Sequence, residues 1–136
     1  MVKIPENLEA ILEKSPNYVV YVLKCKVPEY YYVGYTNDFR RRIKEHESGN
    51  GAEFTKFYGV ESVLYLDPNS SKEVAMKRET LFTLYCISKL YPKYREKSID
   101  HVGGGKYPGV IKSLSERIEI LKTLRNYMDK KSDVFN

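Results

Sequence analysis

Two tyrosines, an arginine–histidine pair and an isolated glutamate are the side chains of this sequence best suited to chemistry on a phosphate ester. They are Tyr21 and Tyr32, Arg42 and His46, and Glu79. An arginine can neutralise a phosphate through two parallel hydrogen bonds. One carboxylate can hold a Mg²⁺ ion whose shell is completed by waters and phosphate oxygens. A phenol or an imidazole can activate or orient a water. Together these groups supply what metal-assisted phosphodiester hydrolysis uses. Each also has a plainer reading. Strand tyrosines serve as core, Arg42 can lie along the surface with its charge paired to Glu45 or Glu47, His46 can be a half-buried helix-end residue, and Glu79 can form an internal ion pair.

The elements that must position them follow from local patterns. Residues 18–25 are dense in β-branched and aromatic side chains and predict a strand, and residues 30–35 its hairpin partner across a turn at Pro28. An even turn places Cys25 opposite Tyr30, Leu23 opposite Tyr32 and Tyr21 opposite Gly34, so both tyrosines share one face. Gly34 lets a backbone or ligand approach closely there. Thr36 or Asn37 caps a helix over 39–47. With Asp38 at 0°, Phe39 and Ile43 fall near 100° and 140°, and Arg42 and His46 near 40° and 80°, beside the apolar stripe. Arg40, Arg41 and Lys44 point elsewhere, to solvent or a polyanion. A long helix over 72–90 carries Glu79 within the stripe of Ala75, Phe82, Cys86 and Leu90, where an unpaired carboxylate is costly.

The remaining elements are a short helix over 5–14, a strand over 60–67, a turn at 68–71, irregular chain over 91–109 and a last helix from Ser113 or Ser115 to about Lys130. Residues 52–58 fit neither pattern well. The order implies an α+β domain, an antiparallel sheet carrying helices. Residues 1–17 form an N-terminal helix packed on the domain, 18–90 its core, and 91–136 a basic loop and C-terminal helix of the same domain.

The 136-residue length suits one domain, and 23 Lys+Arg against 18 Asp+Glu leaves a net charge of +5. Thirteen tyrosines beside that charge fit either a nucleic-acid partner or a small basic domain with a tyrosine core. No apolar run reaches the length of a membrane span, and the start has no signal-peptide build, so an intracellular protein is expected. Two cysteines cannot supply a cysteine-rich zinc cluster.

The motif Val19-Val20-Tyr21, ten residues, then Tyr32-Val33-Gly34 resembles the paired signature of the GIY-YIG nucleases. The continuation Tyr35-Thr36-Asn37-Asp38, then Arg42, then His46 four residues on, and Glu79 downstream follow the family's order and spacing. The match covers about residues 18–90 and is similar to the compact, Slx1-like single-domain type. It implies a three-stranded antiparallel sheet flanked by helices, here with an extra C-terminal helix. It also implies an endonuclease that cuts DNA phosphodiester bonds, with Tyr21, Tyr32, Arg42, His46 and Glu79 as catalytic residues. Glu79 is the implied ligand of one Mg²⁺ or Mn²⁺, one tyrosine the implied general base, and Gly34 keeps space beside the phosphate. Arg40, Arg41, Lys44, Lys93 and Arg95 are the expected substrate contacts. Val19, Val20 and Val33 depart from the signature by swaps that a strand tolerates. A protein partner or homodimer is compatible with the sequence, and a non-cutting nucleic-acid-binding module of the same fold is the alternative.

Overall fold

The computed structural model describes residues 1–104 and Asn126. Helix α1 (Glu6–Glu13) leads into strands β1 (Tyr18–Lys24) and β2 (Tyr31–Thr36), followed by helices α2 (Phe39–Glu47) and α3 (Glu53–Tyr58). Strand β3 (Ser62–Asn69) and the 23-residue helix α4 (Lys72–Tyr94) come next, then a 3-10 turn (Arg95–His101) and a short strand β4 (Val102–Gly104). The expected C-terminal helix lies outside the described residues. Among the described residues no helix is long and apolar enough to cross a membrane.

The sheet order is β3-β1-β2-β4, with β1 antiparallel to both neighbours and β4 parallel to β2. The hairpin register is the expected one, Tyr21 opposite Gly34 and Leu23 opposite Tyr32. The sheet itself corrects the sequence expectation: it has four strands and is mixed, where three antiparallel strands were expected. The fourth strand is made largely of the glycines that read locally as a flexible turn. A Cβ at Gly103 would stand 2.4 Å from the Phe54 ring, and one at Gly104 would stand 1.7 Å from the Val33 carbonyl oxygen. Only bare backbone fits between Phe54 and the edge of β2, so pairing with a distant strand, and not strand propensity, makes this segment extended.

Two further boundaries differ. Residues 91–94 continue α4 instead of starting an irregular stretch, although Pro92 lies inside the helix. That last turn is tied down from outside, since the Tyr94 hydroxyl donates to Glu29 at 2.8 Å and Lys93 pairs with the same carboxylate. Pro68 and Asn69, expected in a turn, belong to β3. An edge strand accepts proline because one row of its N–H groups has no ladder to serve.

Strand β1 is buried along both faces, which explains its near-continuous apolar run. Val20 and Val22 pack with Val33, Phe82, Cys86 and Leu90 against α4. Val19, Tyr21 and Leu23 pack on the other face with Leu8 of α1, Phe39 and Ile43 of α2, and Tyr32. The helical-wheel faces predicted for α2 and α4 are therefore the ones that are buried. Asp38 caps α2 by accepting from the Arg41 N–H at 3.1 Å.

Candidate active site

The fold brings Tyr21, Tyr32, Arg42, His46 and Glu79 to one place, around the mid-hairpin pair of Tyr21 and Gly34, with α2 supplying Arg42 and His46 and α4 supplying Glu79. Tyr21, Tyr32, Arg42 and Glu79 line one cleft of about 450 Å³, together with Tyr18, Gly34, Asn37, Arg41, Glu45 and Lys72. His46 lies just behind this wall, 2% exposed.

The centre of the arrangement is a chain of short hydrogen bonds. The Tyr21 hydroxyl is 2.8 Å from His46 Nε2, and His46 Nδ1 is 2.8 Å from Thr55 Oγ1. Thr55 Oγ1 in turn donates to the Ala52 carbonyl at 3.2 Å. On the cleft side, Arg42 Nε donates to the Tyr21 oxygen at 3.4 Å. The rest of the guanidinium is pinned by Glu45 at 3.2 Å and by the Gly51 carbonyl at 3.0 Å. The Tyr21 ring stacks on Tyr32 and tilts against Phe39, while Tyr32 meets His46 edge-on with centroids 4.8 Å apart.

Burial sets the protonation of this cluster. It pushes the Tyr21 phenol well above its ordinary range, helped by the neighbouring Tyr32 and opposed by Arg42. Tyr32 moves the same way for the same first cause. Burial and then the Arg42 charge push His46 down to about 4. At neutral pH the site therefore holds two protonated phenols, a neutral imidazole and one permanent cation. Glu79 is close enough to add to the upward push on both phenols.

The expected substrate contacts divide by position. Arg41 lines the cleft. Arg40 is engaged on α1, with a two-pronged bond to Glu9 at 2.8 Å for each arm. Lys44 lines a different groove beside the N-terminal segment. Lys93 pairs with Glu29, and Arg95 lies over the Tyr91 ring, both at the far end of α4. The space above Gly34 is filled by the Tyr21 phenol itself: a Cβ there would stand 2.4 Å from its oxygen.

Sequence reasoning missed Thr55, Gly51 and Lys72. Thr55 lies in the stretch with no clear periodicity, and nothing local marks it. Gly51 reads as a helix stop, yet a Cβ there would stand 2.5 Å from His46 Nδ1. Lys72 follows the α4 cap, and its position on the cleft wall depends on how that helix enters the sheet. Arg78, about one residue step round α4 from Glu79, binds Asp67 of β3.

A sheet hairpin carrying two tyrosines, a helix carrying arginine and histidine four residues apart, and a second helix bringing one carboxylate to the same cleft define the class of GIY-YIG nuclease domains. The GIY-YIG catalytic domain family matches residues 17–85, and the chain belongs to that family. The chain is 34% identical over 103 residues to UPF0213 protein YazA of Bacillus subtilis, spanning 76% of this chain and 98% of that one. It is 43% identical over 63 residues to a UPF0213 protein of Streptococcus pyogenes serotype M3, covering 46% of this chain and 67% of that one. A UPF0213 protein of Streptococcus pneumoniae is 44% identical over 63 residues, 46% of this chain and 63% of its own length. No solved structure matches the chain.

Proposed function

We propose that this protein is an endonuclease that hydrolyses DNA phosphodiester bonds with the help of one divalent metal ion, Mg²⁺ or Mn²⁺. The observation that carries this reading is the position of the Tyr21 hydroxyl, bonded to a neutral imidazole on its buried side and lining a cleft with Arg42 and Glu79 on the other. The attacking water gives its proton to the Tyr21 oxygen as Tyr21 passes its own to His46 Nε2. Tyr21 is the tyrosine suited to this because its hydroxyl has a base to receive the proton, whereas Tyr32 meets His46 through its ring edge. Tyr32 shapes the wall beside the reacting water. Arg42 trades its bonds to Glu45 and Gly51 for the scissile phosphate and stabilises the charge that develops there. The P–O bond to the leaving sugar oxygen breaks, and that oxygen takes a proton from solvent.

The donor set fits a Mg²⁺-like ion. Glu79 offers one carboxylate at the cleft wall, and among the described residues there is no group of three His, Cys, Asp or Glu that would make a closed cage. Mg²⁺ keeps most of its waters and takes phosphate oxygens, so one protein carboxylate suffices, whereas structural zinc sites require four protein ligands. When bound, the ion supplies Lewis-acid charge to the phosphate. Arg41 and Lys72 on the cleft walls, with the net charge of +5, suit a polyanionic substrate.

The test is cleavage of labelled branched, flapped and linear DNA in Mg²⁺ and in EDTA, beside Glu79→Ala and Arg42→Ala. Cutting is expected in Mg²⁺ alone and in neither variant. Cutting that survives EDTA or Glu79→Ala overturns the metal assignment. Tight binding with no cutting of any substrate replaces the enzyme by a non-cutting nucleic-acid-binding module.

A further inference from the structure

We infer that Thr55 is a positioning residue that fixes His46 in the Nδ1–H tautomer and so leaves Nε2 as the acceptor for the Tyr21 hydroxyl. Thr55 is 1% exposed, and its hydroxyl has one hydrogen. The Ala52 carbonyl, 3.2 Å away, can only accept, and we assign the hydrogen to it. Toward His46, at 2.8 Å, Thr55 Oγ1 can therefore only accept, and Nδ1 must carry the ring proton. In a neutral imidazole the other nitrogen is then a bare acceptor, and it stands 2.8 Å from the Tyr21 oxygen. The Tyr21 proton consequently lies on the line to Nε2, and the phenol oxygen keeps its lone pairs for Arg42 Nε and for whatever occupies the cleft.

Without the threonine hydroxyl the preference reverses. A buried Nδ1–H with no acceptor is costly, whereas a proton on Nε2 can be donated to the Tyr21 oxygen. The imidazole would then occupy the lone pair of Tyr21 and offer its proton no acceptor. Gly51 crowds one side of the ring, where a Cβ would stand 2.5 Å from Nδ1. The kinetic consequence rests on the hydrolytic role proposed for Tyr21; the tautomer does not.

The experiment reads the tautomer directly, by long-range ¹H–¹⁵N NMR of the imidazole nitrogens in the full chain at pH 7. The chain has two histidines, and the second supplies an internal reference: His101 Nδ1 is 2.7 Å from the Glu29 carbonyl, so its proton is fixed on Nδ1 regardless of Thr55. In the wild type both histidines should show Nδ1–H. Thr55→Ser should keep this pattern, and the near-isosteric Thr55→Val should move the His46 proton to Nε2 while His101 stays unchanged. Thr55→Ala serves in place of Thr55→Val if the latter does not fold. On a DNA substrate that the wild type cuts, Thr55→Val should lower kcat by about 10-fold to 100-fold, the size associated with losing the group that orients a functional histidine. KM should stay within about twofold and Thr55→Ser should restore the rate, because the hydroxyl and not the volume matters. A wild-type His46 protonated on Nε2, or a His46 tautomer unchanged in Thr55→Val and Thr55→Ala, overturns the inference. If the wild type cuts no DNA, the hydrolytic reading fails while the NMR result still decides the role of Thr55.

Discussion

Replacing Gly34 by alanine should disable the site through Tyr21, although the change adds one methyl group to a strand. The new Cβ would stand 2.4 Å from the Tyr21 oxygen and 2.5 Å from Cζ. Carbon contacts settle at about 3.5 Å, so the end of the phenol must move by about 1 Å. Tyr21 is 1% exposed and held between Tyr32, Phe39 and His46, so movement on those three sides is blocked and the phenol can yield only toward the cleft. The 2.8 Å bond to His46 Nε2 cannot survive such a displacement at its present geometry. Misplacing a reacting group by about 1 Å costs on the order of 100-fold in rate, or about 2.7 kcal/mol in the barrier. Overpacking should also lower stability by about 1–3 kcal/mol. Single-turnover cleavage of a DNA substrate that the wild type cuts, with thermal unfolding as the control for folding, measures both. The decisive arm is the same substitution in a Tyr21→Phe background, where most of the kinetic penalty should vanish because the two changes act on one group. A folded Gly34→Ala protein that cuts within threefold of the wild-type rate refutes the reasoning, as does an undiminished penalty in the Tyr21→Phe background.

His46 should make the fold sensitive to acid. Its pKa is pushed down to about 4 from an ordinary 6.5, so between those values the unfolded chain binds more protons and stability rises with pH. Full protonation of the unfolded chain corresponds to about 3 kcal/mol, lost as the pH falls from about 6.5 to about 4. Urea unfolding at pH 7, 5.5 and 4 should show a shallower slope in His46→Gln, and parallel slopes would contradict the burial of a neutral imidazole. Arg42→Lys should lower the cleavage rate by about 100-fold to 1000-fold while shifting Tm only slightly, because an ammonium cannot replace the fork that now spans Tyr21, Glu45 and Gly51. Arg41→Ala should weaken DNA binding and reduce the salt slope by about one, whereas Arg40→Ala, which loses only an exposed pair with Glu9, should leave both DNA affinity and Tm almost unchanged. Equal effects of the two in a salt titration of binding would show that both arginines reach the substrate.

Much of the positioning was legible because it is encoded within one element or one hairpin. The even turn around Pro28 fixes Tyr21 opposite Gly34 and puts Tyr32 on the same face. The 3.6-residue period places Arg42 and His46 beside the Phe39–Ile43 stripe, and Ala75, Phe82, Cys86 and Leu90 around Glu79. Helix α2 covers 39–47 as expected, but its cap is Asp38, where Thr36 or Asn37 was expected. What stayed illegible depends on partners far away in the chain. The glycines of β4 become a strand only by pairing with β2, about 70 residues earlier. Arg40 is drawn to Glu9 and Lys93 to Glu29 by elements that local patterns do not bring together. Gly34 is a place of close approach, but what approaches is the Tyr21 side chain from across the same hairpin, where a backbone or a ligand was expected.

The sequence by itself thus determined which side chains share a face and in what order they come along the chain, since periodicity and capping act over a few residues. Tertiary structure alone decided their protonation and their bonds. The neutral imidazole, the raised phenols and the Thr55–His46–Tyr21 chain exist because α3 closes over His46 and removes it from water. Desolvation depends on everything packed around a group, and no local pattern carries that information.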